Sequence, residues 1–285
     1  MKKTLVILLV VFSFLLGACS ADKPVTGETT PTSSTTPSVT TTDKNNNKDP
    51  DTDDGMLVIN VGSYNVKHFD QVSHNFSIIA DDIRSKNLEI VGLQEIDSKT
   101  TRSNGLDEPK MIAQELGWNY KFSKAIDYQG GGYGHCIISK YPIKSFVSKA
   151  LPGPGEKRSF GHAVIDVNGF ELNFINTHLT HESKDGRQEQ FAVLADYVKN
   201  LDNFVIVGDF NTADFKEFEV IKDATLLNNS KLSVPTFPAS APKSAIDNVV
   251  VSKNIKLGVP RVLTNTHSDH IMLFTTITVE TQKGN

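Results

Sequence analysis

The stretch Asn203-Phe-Val-Ile-Val-Gly-Asp-Phe-Asn211 joins a short apolar run to two polar side chains. The run at residues 204–207 is typical of a buried strand, and Gly208 marks its end. Asp209 and Asn211 follow at once, so the strand would hold a carboxylate and a carboxamide at the rim of a sheet, where sites form in open α/β folds. Both residue types are also common in turns, and a plain turn is an equally good interpretation of this stretch alone.

Other apolar runs of the chain also end or begin with polar residues. These residues are Asn65, Glu95, His178, Asp247, Asp269 and His270. If they meet at one edge, the site would combine carboxylates, amides and imidazoles. Oxygen donors of this kind suit Mg²⁺, Mn²⁺ or Ca²⁺ better than Zn²⁺, which prefers cysteine and histidine. A hard cation beside a histidine is suited to the hydrolysis of phosphate esters.

Hydrophobic periodicity predicts more strands than helices in the folded part of the chain. Strand-like runs occupy residues 56–66, 89–93, 135–139, 162–167, 171–176, 204–207, 245–251 and 271–279, and helix-like periodicity occupies residues 74–84, 109–116 and 185–200. Asn168-Gly169 predicts a hairpin between two neighbouring strands. The pattern therefore predicts an α/β fold with mixed sheets covered by a few helices, in one domain spanning residues 56–285.

The first 55 residues predict export and anchoring. Two lysines precede an apolar stretch too short to cross a bilayer comfortably, as in a secretory signal peptide at residues 1–18. Leu16-Gly17-Ala18-Cys19 resembles the bacterial lipobox, which predicts a lipid on Cys19 and a cell-membrane protein facing outside the cytoplasm. An ordinary signal peptide with an incidental cysteine is the alternative. Residues 19–55 are rich in Thr, Ser, Pro and Asp and predict a disordered tether.

Charge and cysteine content narrow the function classes further. The chain has a formal net charge of −4, and from residue 56 onward 24 basic residues stand against 26 acidic ones. This balance provides no sequence-wide attraction for nucleic acid and disfavours a processive nucleic-acid binder, although local basic patches are compatible with it. With Cys19 lipidated, Cys136 would be the one cysteine left in the sequence, so no intramolecular disulfide is predicted.

Seven short motifs follow one another across the folded part of the chain. They are Ser63-Tyr-Asn-Val66, Leu93-Gln-Glu-Ile-Asp97, Gly134-His-Cys-Ile-Ile-Ser-Lys-Tyr-Pro-Ile143, Asn176-Thr-His-Leu179, Val207-Gly-Asp-Phe-Asn211, Ile246-Asp-Asn248 and Ser268-Asp-His270. In this order they resemble the endonuclease/exonuclease/phosphatase superfamily of DNase I-like enzymes. The resemblance implies a four-layer α/β/β/α sandwich with two mixed, largely antiparallel sheets. With the lipobox, it predicts a small bacterial lipoprotein member of this superfamily.

The resemblance also implies a role for each matching residue. Metal ligation is expected of Asn65, Glu95 and Asp269, and catalysis of His178, Asp209, Asn211, Asp247 and His270. Asp209 would hold or activate the attacking water, and Asp247 would orient His270, because a carboxylate behind an imidazole fixes its tautomer and raises its basicity. The implied cofactor is Mg²⁺, with Mn²⁺ or Ca²⁺ as alternatives.

Three further residues are candidates for substrate binding. They are Arg102, His135 and Arg158, each with a structural alternative, such as a solvated arginine or a packed histidine. Two positions depart from the superfamily pattern: His135 stands where asparagine is common, and Asn248 where an aromatic residue is common.

The predicted function is that of a surface-anchored, metal-dependent phosphodiesterase, most concretely a nuclease. A phosphodiesterase acting on a phospholipid or sugar-phosphate headgroup, as in sphingomyelinases, is the alternative within the same class. A non-catalytic surface binding protein is a third hypothesis, although such a protein would not need the full acidic, amide and histidine set. The predicted partners are the phosphodiester substrate and the membrane, and the chain is expected to be a monomer.

Overall fold

The computed structural model describes residues 55–281, which form two β-sheets and a few helices. The strands are β1 Met56–Asn65, β2 Ile90–Ser98, β3 Asn119–Tyr128, β4 Gly131–Ser139, β5 Ile143–Leu151, β6 Arg158–Val167, β7 Phe170–His178, β8 Phe204–Asp209, β9 Ala224–Leu226, β10 Asp247–Ser252, β11 Lys256–Leu257, β12 Arg261–Leu263 and β13 Met272–Glu280. The helices are α1 Phe76–Ser85, α2 Glu108–Leu116 and α3 Lys184–Val198, with 3₁₀ segments at Lys67–Val72 and Phe215–Val220. None of the helices within residues 55–281 is long and apolar enough to cross a bilayer.

Each sheet is mixed but mostly antiparallel. The first has the order β11-β13-β1-β2-β4-β3, with β12 also beside β13, and the second has the order β5-β6-β7-β8-β10-β9. In each sheet the described ladder has one parallel pair, β1 with β2 and β7 with β8. This is the DNase I-like α/β sandwich, so the predicted fold class is confirmed.

The parallel pairs bring predicted site residues to the same end of each sheet. Asn65 at the end of β1 pairs with Gln94 of β2, and His178 at the end of β7 pairs with Asp209 of β8. The antiparallel β10 places Asp247 directly opposite Asp209. Because strand direction and register fix these positions, the polar strand ends gather at one edge of the sandwich.

Three apolar clusters define the layers. Residues such as Val61, Phe174 and Val207 fill the space between the sheets. A second cluster lies between the outer face of the first sheet and α1 and α2, and a third between the second sheet and α3. The sheets approach closely at Gly92, where a Cβ would lie 2.4 Å from Val207 Cγ2. The predicted signal peptide, lipidated Cys19 and tether lie outside the described residues.

Candidate active site

Asp209 lies at the centre of the gathered strand ends and is almost fully buried. Its Oδ2 accepts a hydrogen bond from Asn65 Nδ2 at 3.2 Å and lies 3.5 Å from Nε2 of both His178 and His270. Its Oδ1 accepts the backbone N–H of Asn211 at 2.9 Å. Elements of both sheets therefore hold one carboxylate between two imidazoles.

This environment changes the acidity of Asp209. Burial raises the pKa of its carboxyl group to about 7, and the negative charge of Asp247 acts in the same direction, while His270 opposes the rise. A carboxylate with a pKa near neutral pH is well matched to accepting a proton from water. The surroundings of Asp209 therefore suit a general base.

His270 is held by a carboxylate and a hydroxyl behind it. Its Nδ1 donates to Asp247 Oδ2 at 2.9 Å, and Thr236 Oγ1 donates to the same oxygen at 2.5 Å. The Phe237 ring packs against the imidazole at a centroid distance of 4.8 Å. Burial alone would lower the pKa of His270, but the charges of Asp247 and Asp209 raise it to about 10. His270 is therefore an imidazolium at neutral pH, with its Nε2–H directed towards Asp209.

The raised pKa of His270 predicts a pH-dependent contribution to stability. The ordinary value is 6.5 and the folded value about 10, so the stabilisation is complete below pH 6.5 and is lost as the pH rises through 10. We expect His270→Gln to lower the free energy of unfolding of the EDTA-treated protein by about 2–4 kcal/mol at pH 6. Urea titrations at pH 6, 8 and 10 would measure this difference; one that stays constant or grows with pH contradicts the assignment.

Glu95 reaches the same cleft through an irregularity in β2. The β2–β4 register shifts between Gln94 and Ile96, and Glu95 occupies the left-handed region with φ 56°. Such bulges and strained conformations redirect side chains and cluster at functional sites. Glu95 Oε1 accepts a hydrogen bond from Asn65 Nδ2 at 3.0 Å, so the same amide also bridges Glu95 and Asp209.

Asp269 completes the predicted metal-binding group. Its Oδ2 forms an ion pair with Lys67 Nζ at 3.1 Å, and the backbone N–H of Lys67 donates to Asn65 Oδ1 at 3.1 Å. Ser268 beside it donates to the carbonyl of Asn65 at 2.7 Å. The structure thus brings Asn65, Glu95 and Asp269 to the cleft that holds Asp209.

The donor set fits a hard divalent cation. Asp209, Asp247 and His270 present ligand atoms within 4.8 Å of one another, a group that could hold a metal ion if His270 gave up a proton and its bond to Asp247. The buried Oδ1 of Asp247 has no hydrogen-bond partner among the described residues, so this carboxylate oxygen is free to bind a cation. With Glu95 nearby, carboxylate oxygens dominate the cleft, as Mg²⁺, Mn²⁺ and Ca²⁺ require.

His178 and Asn211 also lie beside Asp209. Asn211 has φ 53°, a conformation that asparagine tolerates, and its Nδ2 donates to the Leu179 carbonyl at 2.9 Å while lying 3.0 Å from His178 Nε2. His178 Nδ1 accepts a hydrogen bond from Arg158 Nη1 at 3.2 Å. The predicted substrate-binding Arg158 therefore lines the cleft, where it contacts His178 and forms an ion pair with Glu156 at 2.6 Å.

The structure does not bring His135 to the cleft surface, contrary to the prediction. It lies between the sheets, with Nε2 at 3.0 Å from the Ser159 carbonyl oxygen, and burial lowers its pKa to about 4. Asn248, the other departure from the superfamily pattern, exchanges hydrogen bonds with the Asn228 backbone. Both side chains bond to interior polar groups, and His135 does so in place of the predicted substrate contact.

Arg102 is also placed differently from the prediction of a substrate contact. Its Nε and Nη2 donate to the buried Asp97 carboxylate at 2.6 and 2.9 Å, and its guanidinium lies over the rings of Tyr128 and Tyr133. This bidentate pair ties the loop after β2 to its own strand end. The Tyr133 ring under Arg102 lines the cleft, whereas Arg102 does not.

The cleft itself is small. Its volume is about 310 Å³, and its lining includes Tyr133 and Phe237, described above, together with Glu156, His181 and Ile246. Thr236 and Phe237 were not predicted to contribute to the site. The signal that could have found them is the sequence Thr236-Phe-Pro238, which precedes Asp247.

The chain is similar to several known proteins in sequence and in structure. YbhP of Escherichia coli is 25% identical over 228 residues, which cover 73% of this chain and 88% of YbhP. Among solved structures, an endonuclease/exonuclease/phosphatase family protein of Bacteroides thetaiotaomicron matches with a TM-score of 0.65 at 18% identity, covering 81% of this chain and 98% of that one. The mannosyl-6-phosphatase of the same species matches with a TM-score of 0.64 at 18% identity, covering 77% and 99%.

The family model covers most of the chain. The model of the Endonuclease/Exonuclease/phosphatase family matches residues 62–270, a span that begins in β1 and ends at His270. All seven motifs fall within this span. The chain therefore belongs to the Endonuclease/Exonuclease/phosphatase family of phosphoester hydrolases.

Proposed function

We propose that this protein is a divalent-metal-dependent phosphodiesterase that hydrolyses its substrate by attack of water on phosphorus. The observation that carries this proposal is the Asp209 carboxylate, held 3.5 Å from Nε2 of both His178 and His270. One group with a pKa near 7 and one with a pKa near 10 lie side by side at the end of β8. Titratable groups pushed apart in this way are typical of an acid–base pair.

The residues divide the chemistry between them. Asp209 accepts a proton from the attacking water as the water oxygen bonds to phosphorus and the P–O bond to the leaving alcohol breaks. The His270 imidazolium donates its Nε2–H to the phosphate as negative charge develops there and supplies the proton that the leaving oxygen takes up. Asp247 and Thr236 keep His270 oriented for this contact. A divalent cation, which we propose to be Mg²⁺ held by Glu95, Asn65 and Asp269, would supply further neutralisation of the phosphate charge.

The first candidate substrate is nucleic acid, which would make the protein the predicted nuclease. Membership of the family supports it, and a nucleic-acid strand carries the required diester. The near-neutral charge of the folded part supports a modest affinity for polyanions rather than a tight one. DNA and RNA are therefore among the substrates to be tested.

A compact phosphate ester is a second candidate substrate, favoured by the cleft. A volume of about 310 Å³ is at the small end for ligand pockets. Two cations beside the cleft already have partners among the described residues, Arg158 with Glu156 at 2.6 Å and Lys67 with Asp269 at 3.1 Å. Flanking phosphates of a polynucleotide would have to compete for them, whereas a sugar-phosphate or lipid headgroup would not.

A panel of substrates tests the proposal. We expect the purified protein to hydrolyse a generic phosphodiester with Mg²⁺ or Mn²⁺, and EDTA to reduce the rate to background. Single-stranded and plasmid DNA, RNA, sphingomyelin, phosphatidylinositol and a sugar phosphate would then be compared at equal metal concentration. Activity that EDTA leaves unchanged contradicts metal dependence, and activity confined to headgroups contradicts the nuclease version.

We also propose that the protein is anchored outside the cytoplasm through a lipid on Cys19, which lies outside the described residues. The lipobox-like Leu16-Gly17-Ala18-Cys19 supports this proposal. We expect palmitate labelling and membrane fractionation of the full chain to be lost in Cys19→Ser, while Cys136→Ser keeps both. Membrane association of unlabelled Cys19→Ser would contradict the anchor.

A further inference from the structure

We infer that Glu108 is a positioning residue for the predicted metal-binding residues Asn65 and Glu95. Its buried carboxyl group joins the end of β2, which carries Glu95, to the turn that follows Asn65 at the end of β1. This inference rests on the proposed function for its effect on metal binding, whereas the order of the β2 backbone can be measured without a metal.

Strand β2 continues past its parallel neighbour β1 at the cleft end. The described ladder between them ends at the pair Asn65 and Gln94, and the backbone N–H of Val66 then donates to the Gln94 carbonyl at 3.2 Å. Strand β2 runs on to Ser98, with Glu95 in the irregular position after Gln94. The backbone on this side of β2 therefore needs acceptors from outside the sheet, because a buried N–H without one destabilises the fold.

Glu108, the first residue of α2, supplies such an acceptor. Its side chain is fully buried, and its Oε2 accepts the backbone N–H of Asp97 at 2.8 Å. Asp97 follows Glu95 by two residues and lies opposite Tyr133 of β4. Glu95 has φ 56°, a conformation that persists only where its surroundings enforce it. The bond from Asp97 to Glu108 is one of these restraints, so it helps to fix the direction of the Glu95 side chain.

The other oxygen of Glu108 contacts the turn that follows β1. Its Oε1 lies 3.1 Å from Nδ1 of His74, at the end of a turn in which residues 67–69 all have positive φ. The first residue of this turn donates its backbone N–H to Asn65 Oδ1 at 3.1 Å, and His74 donates its own to the Phe69 carbonyl at 2.9 Å. The Glu108 carboxyl group therefore ties the strained turn after Asn65 to the irregular end of β2.

The chemistry of this carboxyl group selects the variants that test its role. Its bond to His74 needs one proton between the two atoms. Burial raises the pKa of Glu108 to about 9, so at pH 7 the group holds a proton that it can donate to His74 Nδ1. A glutamine at this position can still accept the Asp97 N–H and donate to His74, whereas a methionine of similar length can do neither. The two variants therefore separate hydrogen bonding from packing.

Electron paramagnetic resonance of Mn²⁺, titrated into the metal-free full chain in detergent, tests the effect on the metal site. We expect Glu108→Met to raise the Kd for Mn²⁺ on the order of tenfold, and Glu108→Gln to stay within about threefold of wild type. Ile112→Ala, in the buried core beside α2, controls for lost stability and should bind Mn²⁺ as wild type does. Unchanged affinity in folded Glu108→Met, or an equal loss in Ile112→Ala, overturns the inference.

Hydrogen exchange in EDTA separates this inference from the proposed metal site. The backbone amides of residues 93–99 should exchange about tenfold faster in Glu108→Met than in wild type, and Glu108→Gln should restore their protection. If Glu108→Met does not fold, His74→Leu, which keeps the bond to Asp97, should raise the Kd for Mn²⁺ about threefold. Wild type without Mn²⁺ affinity contradicts the metal site alone. Unchanged exchange in Glu108→Met, or an unchanged Kd in His74→Leu, overturns the positioning role.

Discussion

Replacing Asp209 by asparagine is expected to reduce kcat/KM for phosphodiester hydrolysis by about 10³-fold or more. The substitution preserves the shape of the side chain but removes the basic oxygen that lies 3.5 Å from the Nε2 atoms of His178 and His270. An amide has no useful basicity, so the attacking water would lose its proton acceptor. Steady-state rates with saturating Mg²⁺ measure the loss.

Asp202, just before the start of β8, offers a matched control for Asp209 at the end of the same strand. Asp202→Asn changes an exposed residue that precedes β8, and we expect its kcat/KM to equal that of wild type within about twofold. Circular dichroism and urea unfolding would show that both variants are folded. A folded Asp209→Asn protein with wild-type activity would remove Asp209 from the mechanism.

Replacing His270 by glutamine is expected to lower kcat about 10²- to 10⁴-fold. At neutral pH His270 carries the charge that the Asp247 and Asp209 carboxylates stabilise, and glutamine cannot replace an imidazolium that donates from both nitrogens. Because the loss concerns charge developing on the phosphate, kcat should fall more than KM rises. Initial rates over a range of substrate concentrations would separate the two.

A double-mutant cycle tests whether Asp247 and His270 act as one unit. Asp247→Asn should reproduce much of the His270→Gln effect, and the double variant should lose less than the sum of the two free-energy changes. Asp223→Asn, which removes an exposed surface ion pair with Lys253, serves as the control. Fully additive effects would contradict the pairing.

The central elements of the fold could be predicted from the sequence, and the edges could not. Strands buried on both sides, such as β8 and β10, read as continuous apolar runs, and all three helices fall within two residues of their predicted bounds. The edge strands β3 and β5 were missed because their side chains are largely half-buried or exposed and many are polar. An edge strand has no neighbour on one side, so its sequence carries a weaker hydrophobic signal.

The same limit applies to the site. Polar residues at strand ends were found because an apolar strand that stops at Asp209 or His178 is visible in the sequence, and the structure gathers all eight predicted metal-binding and catalytic residues around one cleft. Their chemical roles stay predictions. His135 could not be assigned, because eight of the nine residues of β4 are buried, so no alternation shows which face a side chain takes.

Contacts between distant segments were also beyond prediction. The bond from Thr236 to Asp247 depends on a loop that folds back over β10, and the bond from Arg158 to His178 depends on the register of β6 and β7. No periodicity or motif around Thr236 or Arg158 indicates which residue either side chain contacts. Register and loop path, which depend on packing of the whole domain, decide both contacts.

Hydrolysis in ¹⁸O-labelled water tests the central claim most directly. Wild-type protein with Mg²⁺ and a generic phosphodiester should place one solvent oxygen in the phosphate product and none in the released alcohol. Asp209→Asn, or wild type with EDTA, should show almost no labelled product over the same time. Label in the alcohol, or undiminished labelling of phosphate by Asp209→Asn, would contradict attack of water on phosphorus assisted by Asp209.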